Sequence, residues 1–248
     1  MLLWVFVAAG VIAAATLIGT LIGYLFKNIT QKQNDAVIGF SAGVMLSAAV
    51  FGLIEPSLDF GGRFGVFVTV VGVFLGAAFL CLIDKLIPRI NGLASDKKQG
   101  RALLFASAIA IHHLPEGIAV GVSFGTGNVS DIAMVCGSIA IQNVPEAAVI
   151  ISPMLQSGMS KKKTALVALI SGGAEIIGTF FGYFAVSIAT SIMPVALAFA
   201  GGSMLYIIVD EMIPETHSED YGRMATYLML AGFCTMLVFD FVIGLVAS

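Results

Sequence analysis

The chain is poor in charge. Of its 248 residues only 11% are Asp, Glu, Lys or Arg, where a soluble domain carries about a quarter, and 58% are hydrophobic. That balance excludes an ordinary soluble globular protein. Cysteine is scarce as well: Cys81, Cys136 and Cys234 stand alone within apolar runs, with no CxxC spacing. They argue against a disulfide framework and against a thiolate metal site, and read as small buried hydrophobes. No GxxxxGK[ST] segment occurs, so the chain carries no ATP engine of that type. The net charge of −3 and the shortness of "DKK" and "KKK" leave no basic patch for nucleic acid.

What is abundant is apolar sequence interspersed with glycine. The 28 glycines are scattered through the hydrophobic runs, the habit of helical proteins that cross membranes repeatedly. A run of about 20 apolar residues spans the hydrocarbon core. Eight such runs cover roughly 2–26, 34–55, 64–87, 102–124, 132–154, 164–190, 194–213 and 224–247. The first has no basic residue ahead of it and exceeds the apolar stretch of a signal peptide, so it counts as a span. Short connections leave no room for a soluble domain. The expected fold class is therefore all-α: a polytopic membrane protein with eight transmembrane helices, residues 1–248 forming a single domain in the lipid bilayer.

Basic residues set the orientation. Lys27 and Lys32, then Lys85, Arg89, Lys97, Lys98 and Arg101, then Lys161, Lys162 and Lys163, then Arg223 fall in the odd-numbered loops, whereas the even ones hold only Arg63. By the positive-inside rule the odd loops are cytoplasmic and both termini lie outside. The short loops point to a plasma or prokaryotic inner membrane. The sequence does not set the oligomeric state; a homodimer is one option.

Against this background "IAIHHLPEGIAV" at 109–120 and "IAIQNVPEAAVI" at 139–150 stand out. His112, Gln142 and Glu175 each lie ten or eleven residues into their span, about 15 Å deep and near the midplane. His112 and Glu116 are four residues apart, as are Gln142 and Glu146, so each pair shares a helix face, with His113 and Asn143 about 100° round. Pro115 and Pro145 free the carbonyls of Ile111 and Ile141 and bend both helices. A charge at this depth costs about 2.5–3.5 kcal/mol even on the lenient scale. A divalent cation offsets that cost, and imidazole, carboxylate and amide oxygen suit zinc, iron or manganese. The plainer reading is a polar network of neutral carboxyls holding the helices together. Two repeats and a third carboxylate at one depth favour the cation.

These residues resemble a known family. "HHLPEG" and "QNVPEA", together with "SGGAEIIG" and "GGSMLYIIVDEMIPE", are similar to the motifs of the ZIP metal-ion transporters, in particular the GufA-like branch. The resemblance covers essentially the whole chain. It implies no enzyme but a carrier with a binuclear centre on helices 4, 5 and 6, whose cargo is zinc, with cadmium, iron and manganese as relatives. His112, Glu116, Gln142 and Glu146 would form the transport site, and His113, Asn143, Glu146 and Glu175 its neighbour, with Glu116 a candidate to be shared. Two positions depart from the family: His113 stands where asparagine is usual, and Asn143 where aspartate or histidine is common. Ala147 likewise replaces the usual glycine. The resemblance also implies inward transport, with one helix bundle sliding on another. Gly117, Gly121 and Gly125 form a small-residue stripe suited to a sliding contact or to plain tight packing.

Further acids flank the path. Glu55 and Asp59 at the outer end of the second span would draw cations in by local potential, though solvated helix-end acids are the simpler account. Asp210 and Glu211, in "DEMIPE", stand at the inner end of the seventh, where Glu211 suits an exit or gating role. "PETHSED", with Glu215, His217, Glu219 and Asp220, would hand metal onward or be a plain acidic loop. Asp240 has no evident partner. An intramembrane metalloprotease is the enzyme rival, but its HExxH signature is absent. A monovalent-cation or proton exchanger is the alternative carrier, since midmembrane carboxylates at broken helices serve those too. A protease-sensitive tag appended to Ser248 is expected to be cut in right-side-out vesicles; protection there, with cutting only in inverted vesicles, contradicts the orientation.

Overall fold

The structure is a computed structural model that describes residues 1–25, 30–91, 113–156, 159–216 and 222–247. Every regular element among them is helical. We label the helices α1 (Leu2–Leu25), α2 (Gln31–Phe60), α3 (Gly65–Asn91), α4 (described over 113–123), α5 (Val129–Gln156), α6 (Lys161–Ile188), α7 (Met193–Thr216) and α8 (Gly222–Ala247). Six of them, α1, α2, α3, α6, α7 and α8, are long and apolar enough to cross a membrane. The helix of α5 continues through Pro145.

Polar helix starts lie outside the apolar windows, which is why α2, α5 and α6 begin before their hydrophobic runs. Thr30 caps α2 with a reciprocal pair: Gln33 N donates to Thr30 Oγ1 at 3.3 Å, and Thr30 N donates to Gln33 Oε1 at 3.0 Å. Asn128 caps α5, its side chain accepting from Ser130 N at 2.9 Å, just after Gly127 has turned the chain with a φ of 69°. Ser160 does the same for α6. Wider π-type turns interrupt α2 at Ala48–Ile54 and α7 at Ile208–Met212.

Glycine decides which helices pair. A Cβ on Gly121 would overlap the Thr179 carbonyl, and one on Gly178 or Gly182 would sit 2.5 Å from the carbonyl of Leu114 or Ile118. α4 and α6 therefore touch backbone to backbone. The same holds for α1 and α5 through Gly19 and Gly23, for α2 and α8 through Gly43 and Gly232, and for α3 and α7 through Gly76 and Gly202. Without a hydrophobic driving force in lipid, such close approach is what holds helices together. The 117–121 stripe is thus a tight joint between α4 and α6.

Where α5 meets α2 and α8, side chains intervene. Val44, Met134 and Met236 form a small apolar cluster there with Phe40, Phe51, Ile141 and Phe239 packed around it. The outward faces of α1, α3, α6 and α8 show Leu, Phe, Val and Ile, as a lipid-facing surface should. The α4–α6 joint gives a clear expectation for thermal melting in detergent. Gly121→Val is expected to cost about 1–3 kcal/mol or more by overpacking. Gly173→Ala, with open space around it, is expected to cost nothing. Equal melting temperatures for Gly121→Val and the parent would contradict the joint.

Candidate metal centre

The joint between α4 and α6, closed by α5, encloses the polar groups. His113 and Glu116 on α4 stand one turn apart, and Glu175 projects from the middle of α6. Their exposures are 1%, 0% and 0%, so water does not solvate them. One ligand atom from each lies within 4.8 Å of the others. His113 Nε2 is 4.0 Å from Glu116 Oε2, and His113 Nδ1 is 3.9 Å from Glu175 Oε1. Donors on a tetrahedral zinc at about 2.0–2.1 Å stand roughly 3.3 Å apart, so a small side-chain rotation closes this set on an ion.

The amides of α5 complete the cluster. Gln142 Nε2 donates to Glu116 Oε1 at 2.6 Å. Asn143 Nδ2 donates to Glu175 Oε1. Each amide thereby satisfies a carboxylate with its nitrogen and leaves its oxygen over. Gln142 Oε1, Asn143 Oδ1 and Glu116 Oε2 are buried and have no hydrogen-bond partner among the described residues. A buried acceptor without a partner costs about 1–3 kcal/mol. Three together form a donor set of hard oxygens beside an imidazole, and a divalent cation is the species that satisfies them all at once.

Glu146, one turn beyond Gln142 on α5, is half-buried, and its charge acts on both Glu116 and Glu175. His112 and His217 lie outside the described residues, as do residues 92–111 of the third loop and the start of the fourth span. Of the set expected for the transport site, Glu116 and Gln142 are bonded to each other and Glu146 stands alongside. His113, expected at the neighbouring site, faces Glu116 as well as Glu175, so the described ligands form one continuous cluster.

The flanking acids stand apart from it. Glu55 and Asp59 are exposed in the last turns of α2. Asp210 is exposed and Glu211 half-buried in the π-type turn of α7, and the charges of Glu211 and Asp35 act on Glu215. Asp240 is exposed on α8 and its charge acts on Asp131. Sequence reading missed three residues. Asp35, fully buried, accepts from Gln31 Nε2 at 2.7 Å; its place one turn after a polar helix start disguised it as a solvated charge. Thr16 and Ser171 bond to the centre, and isolated hydroxyls on apolar helices give no periodic signal.

A multi-pass membrane protein with an imidazole, carboxylates and amides gathered at one buried point is, by class, a membrane metal-ion carrier. Comparison with known proteins agrees. Residues 93–240 match the family described as ZIP zinc transporter. The chain is 34% identical to the zinc transporter GufA of Myxococcus xanthus, across 96% of this chain and 98% of that one. It is 33% identical to the zinc transporter ZIPB of Bordetella bronchiseptica over 93% and 78%, and 28% identical to human zinc transporter ZIP11 over 92% and 94%. The chain belongs to the ZIP family.

The cluster's bonding makes a testable demand on Asn143. Asn143→Asp replaces a donor to Glu175 with a second carboxylate. The zinc-free protein is expected to lose about 1–3 kcal/mol of stability, and saturating zinc to raise the melting temperature of the variant more than that of the parent. An unchanged zinc-free melting temperature would contradict the amide's role.

Proposed function

We propose that this protein moves divalent transition-metal ions, zinc foremost, across the membrane toward the cytoplasm. The observation that carries the reading is the buried convergence of His113, Glu116 and Glu175. His112 and His113 supply imidazole nitrogen. Glu116 and Glu146 neutralise the ion and bridge two positions of a binuclear centre. Gln142 and Asn143 offer weaker amide oxygens, and Glu175 completes the second position. Weak ligands suit a carrier, because an ion held too tightly cannot leave. The same donors accept cadmium, iron and manganese, so selectivity lies in geometry.

The full arrangement in this reading is eight spans in one domain of a plasma or inner membrane, with both ends outside. The membrane potential favours inward flow of a dication by about 2.3 kcal/mol per charge per 100 mV. Glu55 and Asp59 gather ions at the outer mouth; Asp210, Glu211 and His217 receive them inside. Motion by sliding of bundles is supported by how the helices meet. The described polar partners at the centre come from α1, α4, α5 and α6, which are joined by backbone-close contacts and hydrogen bonds. Their border with α2 and α8 includes the apolar cluster of Val44, Met134 and Met236, whose side chains make non-directional contacts.

Zinc flux into proteoliposomes holding the purified protein tests the proposal. Saturable uptake is expected in the parent and is expected to fall to background in Glu116→Ala and Glu146→Ala. Tight zinc binding without flux would overturn transport and leave a sensing or structural metal centre.

A further inference from the structure

Thr16 reaches the metal centre from α1, a helix that contributes nothing to the paired PE motifs. Its hydroxyl donates to Glu175 Oε2 at 2.9 Å and accepts from Asn143 Nδ2 at 3.1 Å. The other proton of Asn143 Nδ2 goes to Glu175 Oε1. An asparagine amide has two donors on one side and an acceptor on the other. With both donors engaged, the amide has a single orientation, and its Oδ1 is the buried atom without a hydrogen-bond partner among the described residues.

Ser171, one turn before Glu175 on α6, makes a parallel contact: its Oγ lies 2.7 Å from His113 Nδ1. A serine oxygen accepting from Nδ1–H leaves the lone pair on Nε2, the ring nitrogen nearer Glu116 Oε2. Partners behind a metal ligand fix its tautomer and ring angle in this way.

We infer that, on the reading of this centre as a zinc site, Thr16 and Ser171 are its positioning residues: hydroxyls that do not bind the ion but aim Asn143 Oδ1 and His113 Nε2 at it. The hydroxyl, not the bulk, is what Thr16 supplies. A valine has the same shape, and the nearest atom of Thr16 to a Cβ built on Gly172 is a methyl carbon at 3.7 Å. α1 thereby belongs to the unit that holds the metal, tied to α5 and α6 by Thr16 as well as by close packing.

Zinc titration calorimetry on the purified full chain tests this, with Thr16→Val, Thr16→Ser and Ser171→Ala beside the parent. Thr16→Val and Ser171→Ala are expected to weaken zinc binding about 10- to 100-fold, and Thr16→Ser to restore it. Equal affinity in the parent, Thr16→Val and Ser171→Ala overturns the positioning role and leaves the zinc site standing. Equal loss in Thr16→Val and Thr16→Ser overturns it too, since shape would then be the cause. Absence of zinc binding in the parent overturns the metal reading and this inference together. Should Thr16→Val fail to fold, Ser171→Ala carries the test on the other helix.

Discussion

Carboxylates buried among apolar helices must find their stabilisation within a few ångströms, because neither water nor lipid supplies it. That constraint shapes everything around Glu116 and Glu175. Two amides of one helix reach two carboxylates of its neighbours, a hydroxyl from a fourth helix backs one of them, and an imidazole stands between. The amide nitrogens bond to the carboxylates, and the amide oxygens are left without a hydrogen-bond partner among the described residues. The result is a buried cluster rich in acceptors without partners, an arrangement whose chemistry suits a cation.

Glycine makes the pocket possible. Side chains as short as Glu, Asn and Thr meet across three helices only if the helix axes approach closely, and the α4–α6 and α1–α5 contacts are backbone against backbone. Replacing those glycines would move the clustered side chains apart without changing any of them chemically. The apolar seam along α2 and α8 is of another kind, filled by Met, Val and Phe side chains whose contacts are non-directional. Directional bonds hold the clustered side chains to one another, and at the α2–α5–α8 seam the contacts are non-directional.

Much of this was legible in the sequence, and for a physical reason. Hydrophobic length predicts helices, and four-residue spacing predicts that Gln142 shares a face with Glu146 and His112 with Glu116, with His113 about 100° round from His112. Ends were misjudged where a polar first turn such as Gln31–Gln33 precedes the apolar run. Pairing was not legible. The stripe at Gly117 and Gly121 announces a close contact without naming its partner, which is the equally glycine-rich face of α6 at Gly178 and Gly182. Thr16 was invisible because a threonine in a helix also bonds its own backbone, here Ile12 O at 3.2 Å. Only its position opposite Asn143 and Glu175 gives it a role. Asp35 was passed over because an acid so close to a polar helix start reads as an ordinary solvated charge.

The most direct test of the account is anomalous diffraction at the zinc edge from crystals of the zinc-loaded protein. The account predicts density among His113, Glu116 and Glu175, within bonding distance of an amide oxygen of Gln142 or Asn143. Zinc density confined to the exposed acids at Asp59 or Asp210, with the buried cluster empty, would contradict it.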